Sequence, residues 1–388
     1  MRKNRLVVLL TVVLCLGTVL GACKSKSASP ETVGVQVDAK ATDTHLGFTQ
    51  YFPSAVTLHP GDTVDFTELF SGEPHTVTFG TLVDQGLAKS KPTDTTEPAE
   101  LQKIAALLPQ GPGDANQSSA QPCFLASGDP PAATKACTAD QQKQTAFDGT
   151  QTYYNSGFLT DGEHFKVMLA DTIKPGTYSY MCALHRAGMT GKITVVAKGD
   201  KADKAADVQT RQQSELTKAQ ADMKATITAI EGGTLPGVVN AATPLGAIAG
   251  GGNPKFPAAV PALFGPATIS AKVGDTVSWT VVGPHTIAFG ATEATRTFLT
   301  KAPDGSVHAN PQVGAPSGGA GAPQGPPPSV VTTIDGGSYD GTGYHSSGAL
   351  IAFPPVPAYV YKLKFTKAGT YSYICQFHPD MKGTVNVT

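Results

Sequence analysis

The chain has 388 residues, which predicts roughly two to three domains. Hydrophobic residues make up 40% and charged residues 15%, so a core is available beneath a lightly charged surface. A formal net charge of -1 excludes a strongly basic nucleic-acid binder and a polyacidic tail protein, and Gly 42 with Pro 30 favours turn-rich β domains joined by looser segments.

The N-terminus reads as an export signal over 1–22. Arg2, Lys3 and Arg5 form a positive region, and Leu6 to Leu20 is apolar but short for a transmembrane span. The segment ends Leu20-Gly21-Ala22-Cys23, which resembles a bacterial lipobox and makes Cys23 the expected lipid anchor. The plainer alternative is an ordinary signal peptide with an incidental cysteine. Export places the chain on the extracytoplasmic face of a membrane and permits disulfides. Cys123 and Cys137 sit 14 apart in a Pro/Gly/Ala-rich loop and are the expected pair. Cys182 and Cys375 are left over. They either pair with each other or carry chemistry.

The chain repeats itself. The first copy holds Gly61-Asp62-Thr63-Val64, then Gly72-Glu73-Pro74-His75-Thr76, then Ser156-Gly157. The second holds Gly274-Asp275-Thr276-Val277, then Gly283-Pro284-His285-Thr286, then Ser347-Gly348. The copies end alike, at Tyr178-Ser179-Tyr180-Met181-Cys182 and Tyr371-Ser372-Tyr373-Ile374-Cys375. After the Gly-Asp turns, Val64 and Phe66, and Val277, Trp279 and Val281, alternate with polar residues, the pattern of half-buried strands. The tyrosines and Trp279 read as core.

Taken in order, the first domain spans 31–197, with an insertion over about 81–150 that includes a short helix near Glu97 to Leu108. A linker follows over 198–255. In it Leu216, Ala219, Met223, Ile227 and Ile230 lie on one face of a helix over about 206–231, ending at Gly232-Gly233. That helix either packs on a domain or spaces the two apart. Thr234 to Phe256 reads as irregular. The second domain spans 256–388, with a Gly/Pro-rich insertion over about 302–329 expected to be a mobile loop.

Each copy supplies a histidine on an early strand, then Cys-x2-His and, after two or three intervening residues, a methionine. The sets are His75, Cys182, His185 and Met189, and His285, Cys375, His378 and Met381. A thiolate, two imidazoles and a thioether together suit copper, two ions per chain; zinc is the rival but has no use for the methionines. Two histidines and a cysteine around copper, with a weak axial methionine, make a blue-copper electron-transfer site.

Both repeats resemble the cupredoxin family, specifically its plastocyanin- and azurin-type single-copper domains, over about half the chain. The resemblance implies an all-β fold of two Greek-key sandwiches, a type 1 copper at one end of each, and the ligand sets just named. It implies that His185 and His378 present a ring edge at the surface as electron ports, within an apolar rim of Ala183, Leu184, Ala187 and Gly188, or of Phe377 and Pro379. One departure is Thr76 and Thr286 where the family usually has an asparagine that clamps the cysteine loop. The other is a Cys182–Met189 loop one residue longer than Cys375–Met381.

The sequence has no His-x-His pair and no histidine directly before either copper cysteine, so a catalytic trinuclear or type 2 copper centre is not expected and the chain reads as a non-enzyme. His45, His59, His164, His308 and His345 read as surface or loop residues. The expected partner is a redox protein such as a cytochrome or copper oxidase, with no nucleic acid. The alternative is copper storage, delivery or resistance; a weaker third reading is adhesion by sandwiches with vestigial sites.

Overall fold

The computed structural model describes residues 29–39, 44–69, 72–91, 96–108, 117–131, 135–235, 245–296, 299–301, 307–314, 316–317, 331–352, 359–378 and 380–388. The export segment and Cys23 lie outside them, as does most of the 302–329 insertion. Among the described residues no helix is long and apolar enough to cross a membrane.

Each half is a two-sheet sandwich with Greek-key crossovers. In the first half, one sheet runs Tyr51–Phe52, Thr32–Val37, Thr63–Glu68, His164–Met168, with Thr32–Val37 parallel to Thr63–Glu68. The facing sheet runs Ala55–Leu58, Thr190–Val195, Gly176–Met181, Thr78–Phe79, Tyr153–Asn155, Cys123–Leu125. The second half repeats this as Phe264–Gly265, Gly246–Gly250, Thr276–His285, Tyr359–Phe365, Thr332–Tyr339 against Thr268–Ala271, Lys382–Val387, Gly369–Ile374, Ala288–Phe289, His345–Ser346.

The alternation read from sequence sets the cores. Val64, Phe66 and Glu68 point inward from Thr63–Glu68 while the intervening residues are half-buried. Phe66 meets Tyr180 edge-on at 5.0 Å between ring centroids, and Trp279 meets Tyr373 at 5.3 Å at the equivalent place. Full burial of such side chains contributes roughly 1.5–3 kcal/mol each. His345 departs from its reading as a surface residue: it lies on a strand, 8% exposed, with its ring against Tyr339.

Three findings reorganise the linker. The segment read as irregular contains Gly246–Gly250, which pairs in parallel with Thr276–His285 and belongs to the second sandwich. Its Gly/Ala composition hid it, because close packing selects small residues there rather than β-branched ones. The helix runs Ala205–Glu231 and packs on both halves. Its Met223, Ile227 and Ile230 form one apolar cluster with Ala39, Leu46, Phe48 and Phe52 of the first half and Ile248, Ala259 and Leu263 of the second. Finally, Leu46–Phe48 and Ala259–Pro261 pair antiparallel across the halves. The helix therefore staples the sandwiches together instead of spacing them apart.

The first insertion is ordered where described. Thr81–Lys89 and Ala99–Ala105 are helices, Cys123 and Cys137 form a disulfide, and the whole packs against Met181 and Ala183 beside the cysteine loop.

Candidate metal centres

In both halves the cysteine follows the penultimate strand and a short loop returns to the last one. Cys182 N–H donates to Met189 O at 3.0 Å, and Cys375 N–H donates to Met381 O at 3.0 Å. This closes each loop at its base, so that residues between the two are folded over the end of the sandwich. In the first half a short 3-10 turn, Arg186–Gly188, takes up the extra residue, with Arg186 at φ 46 and its guanidinium on Glu97 of the insertion at 2.6 Å.

The donor atoms of His75, Cys182 and His185 all lie within 4.8 Å of one another, as do those of His285, Cys375 and His378. In the second centre Cys375 Sγ stands 3.4 Å from His378 Nδ1 and 3.8 Å from His285 Nδ1. Met189 and Met381 are buried in the same clusters as their cysteines. Cys182 and Cys375 are both free thiols, so the reading that pairs them with each other is set aside.

Electrostatics favour the thiolate form. Burial would raise the Cys182 thiol, but the imidazoles of His185 and His75 close beside it hold it well below the usual thiol range. Cys375 is held down in the same way by His378 and His285 against the effect of burial. Burial also opposes charge on His185 and His378, yet their thiolates and Glu73 bring them to about 9 and about 10. Each centre thus sets a thiol of lowered pKa against two imidazoles. His75 Nδ1 and His185 Nδ1 are buried with no hydrogen-bond partner, as the donor atoms of a metal site would be. The donor set fits a soft metal ion.

Thr76 and Thr286 clamp the cysteine loops. Thr76 N–H points at Cys182 Sγ at 3.4 Å, and its hydroxyl accepts from Ala183 N–H at 2.8 Å. Thr286 repeats both contacts, with Cys375 Sγ at 3.4 Å and Gln376 N–H at 2.8 Å. The Ser-Gly signature acquires a role as well. Ser156 accepts from Val77 N–H and Ser347 from Ile287 N–H, each at 2.9 Å, two residues beyond the ligand histidine.

The first histidine of each centre is held differently. His75 Nε2 bonds Asp38 Oδ2 at 3.1 Å; the other oxygen of Asp38 accepts from Ala39 N–H at 2.5 Å and from Phe48 N–H. Glu68 is buried beside them, with neither oxygen hydrogen-bonded, and burial pushes its carboxyl well up. Gly250 occupies the place of Asp38 in the second half, and Val281 that of Glu68. Both Asp38 and Gly250 end a strand with positive φ, at 59 and 74. A Cβ on Gly250 would fall 1.9 Å from His285 Nε2, an atom that is buried without a partner. Burial opposes charge on both rings. It prevails at His285, whose pKa is lowered, whereas Glu68, Asp38 and Cys182 hold His75 well above the usual imidazole value.

The two centres face each other. His378 is 1% exposed and His185 is only half-buried at its edge, and neither forms the open port expected from sequence. Between them lies Glu73, whose Oε2 is 3.3 Å from His185 Nε2 and whose Oε1 is 3.7 Å from His378 Nε2. Gly72, at φ +117, lets this chain press on the second loop: a Cβ there would lie 1.5 Å from Phe377 O. Of the expected rims, Ala183 and Phe377 are buried, Leu184 is half-buried, Ala187 and Gly188 remain exposed, and Pro379 lies outside the described residues.

Asp38, Glu68 and Glu73 went unnoticed in the sequence. The repeat held the signal. Glu68 stands against Val281, and Glu73 is an extra residue between Gly72 and Pro74 where the second copy reads Gly283-Pro284.

No family model matches the chain, and no curated protein matches it. Solved structures resemble parts of it. Auracyanin A, a blue copper protein from the green thermophilic photosynthetic bacterium Chloroflexus aurantiacus, is 15% identical over 43% of this chain and 99% of its own, at TM-score 0.21. Dithionite-reduced auracyanin from Roseiflexus castenholzii is 16% identical over 43% and 98%, at TM-score 0.21. Oxidised plastocyanin from Dryopteris crassirhizoma is 17% identical over 42% and 100%, at TM-score 0.18.

Proposed function

We propose that each half is a cupredoxin-type domain holding one copper ion, and that the chain is an extracytoplasmic electron carrier anchored through Cys23. The observation that carries this reading is the duplicated buried cluster of one low-pKa thiol and two imidazoles, with a methionine closing the loop in both copies. Copper in such a set supplies a one-electron couple. His75, Cys182, His185 and Met189 would hold one ion, and His285, Cys375, His378 and Met381 the other. The chain's part is to keep these donors fixed. The loop-closing backbone bonds, the Thr76 and Thr286 clamps and the amide N–H groups aimed at each sulfur limit rearrangement when charge changes. Burial of the donors favours retention over handing the metal on, and so favours electron transfer over storage, delivery or resistance. The partner is a redox protein such as a cytochrome or copper oxidase.

Copper-loaded protein, with metal counted and optical and EPR spectra recorded, tests the reading. An intense blue band, a narrow hyperfine splitting and about two coppers per chain are expected. A colourless protein with zinc in both centres would overturn it.

A further inference from the structure

The contact at Glu73 deepens that reading and rests on it. In a single cupredoxin-type domain the loop histidine is the expected route outward. Here both loop histidines turn toward one buried carboxylate, and the two domains are locked in that orientation by a shared sheet and a shared helix. We propose that Glu73 couples the two centres, holding His185 and His378 against each other and carrying electron exchange between them, with the first centre the lower-potential member.

Three observations carry this. The first is contiguity: one carboxylate and two ion-pair contacts are all that separate the rings, and no solvent layer intervenes at a residue 7% exposed. The second is charge. A negative group placed between two centres offsets the repulsion between their positive charges whichever of them is oxidised. The third is asymmetry. Asp38 accepts from the ring of His75, which makes that imidazole a stronger donor and favours the oxidised metal, whereas His285 lies against Gly250 with its outer nitrogen unpartnered. In the exchange one electron leaves the first centre and enters the second. The first is oxidised as the second is reduced, and no proton, atom or outside reagent is consumed.

The test uses the full copper-loaded chain. Single-site variants Cys375→Ser and Cys182→Ser give the potential of each centre alone by spectroelectrochemistry; the first centre should lie lower, and equal or reversed potentials overturn the direction. Rapid partial reduction should then be followed by re-equilibration that is first order and independent of protein concentration. Glu73→Leu removes both contacts and should slow that phase at least tenfold per copper bound. Glu73→Gln keeps an acceptor for one ring only and should fall between. An unchanged rate in both variants overturns the bridge while leaving the copper reading intact; a wild-type chain without blue absorption overturns the reading itself. In metal-free protein the bridge has its own signature. Slowly exchanging imidazole N–H signals of His185 and His378 should be present in the wild type and lost in Glu73→Leu, and their absence from the wild type would count against the bridge.

Discussion

The two centres carry the same donors at matching places in the two sandwiches, but the ring of the early histidine meets opposite surroundings. His75 leans on Asp38 in a pocket that also buries Glu68, while His285 lies against a glycine that leaves no room for any side chain. The donor set thus defines the kind of site, and the strand that ends beneath it tunes the site. Because that strand pairs in parallel with Thr63–Glu68, which leads toward His75, in one half and with Thr276–His285 in the other, a single position at its end reaches the outer nitrogen of the ring. Duplication followed by substitution at that position gives two unlike centres without moving a ligand.

The largest test of this comparison removes one centre at a time. Cys182→Ser should abolish the blue absorption of the first centre and halve the copper bound, while the second keeps its spectrum; Cys375→Ser should do the converse. Loss of both spectra from either change would mean that the halves do not fold independently around their sites. Gly250→Ala comes next. The new methyl would overlap His285 Nε2 in a backbone already at φ +74, so the second centre should lose its metal or its colour while the first is untouched. Copper counts and EPR of the variant decide it.

Ile230→Ala tests whether the comparison is between parts of one body. Ile230 is fully buried where helix and both halves meet, and its truncation should cost about 2–5 kcal/mol. Calorimetry should show a lower midpoint, or a single transition split in two as the halves uncouple. An unchanged melt would mean that the staple contributes little. Asp38→Asn sharpens the difference between the centres. An amide nitrogen facing His75 Nε2 cannot accept its proton, so the first centre should become more like the second. A charge-assisted bond of this kind is worth about 1.5–3 kcal/mol, equivalent for one electron to a rise of about 65–130 mV. Spectroelectrochemistry of the Cys375→Ser background reads it directly.

Much of this was legible in the sequence, for definable reasons. Ligand types, spacing and repeat are properties of the chain itself, and so are the alternating strands at Val64–Phe66 and Val277–Val281. Cys123 and Cys137, close in sequence and in an exported chain, read as a pair, and the two form a disulfide that ties the end of a short strand to the loop after it. What escaped depends on contacts between distant segments. Gly246–Gly250 carries no β-branched run, since it is packed closely under His285. The helix period of Leu216 to Ile230 was visible, but one apolar face does not say that two domains share it. The outward histidines were misplaced because a single domain leaves them exposed, and only the docking of the second domain covers them. Glu73 is polar, beside a glycine and a proline, and reads as a loop residue until its two partners are known.

The smallest expected effect concerns what the halves share. Thr76 and Thr286 make the same pair of contacts, one amide toward sulfur and one hydroxyl under the next residue of the loop. Replacing either by valine keeps shape and removes the hydroxyl, leaving the N–H of Ala183 or Gln376 unpaired, at a cost on the order of 1 kcal/mol. The surroundings then separate the two. Thr76 is also bonded to Thr78 at 2.8 Å, and Thr78 to Asn155 at 3.0 Å, whereas Ala288 stands at the place of Thr78 in the second half. In the second half Gln376 instead anchors its own side chain to Thr295 O and to the Tyr344 hydroxyl. The loop beneath Cys375 therefore has a hold that does not pass through Thr286, while the loop beneath Cys182 depends on the threonine chain. Thr76→Val should broaden the EPR signal of the first centre and lower its melting point more than Thr286→Val does for the second. Equal responses would mean that the clamp works alone in both centres and that the flanking networks add nothing to it.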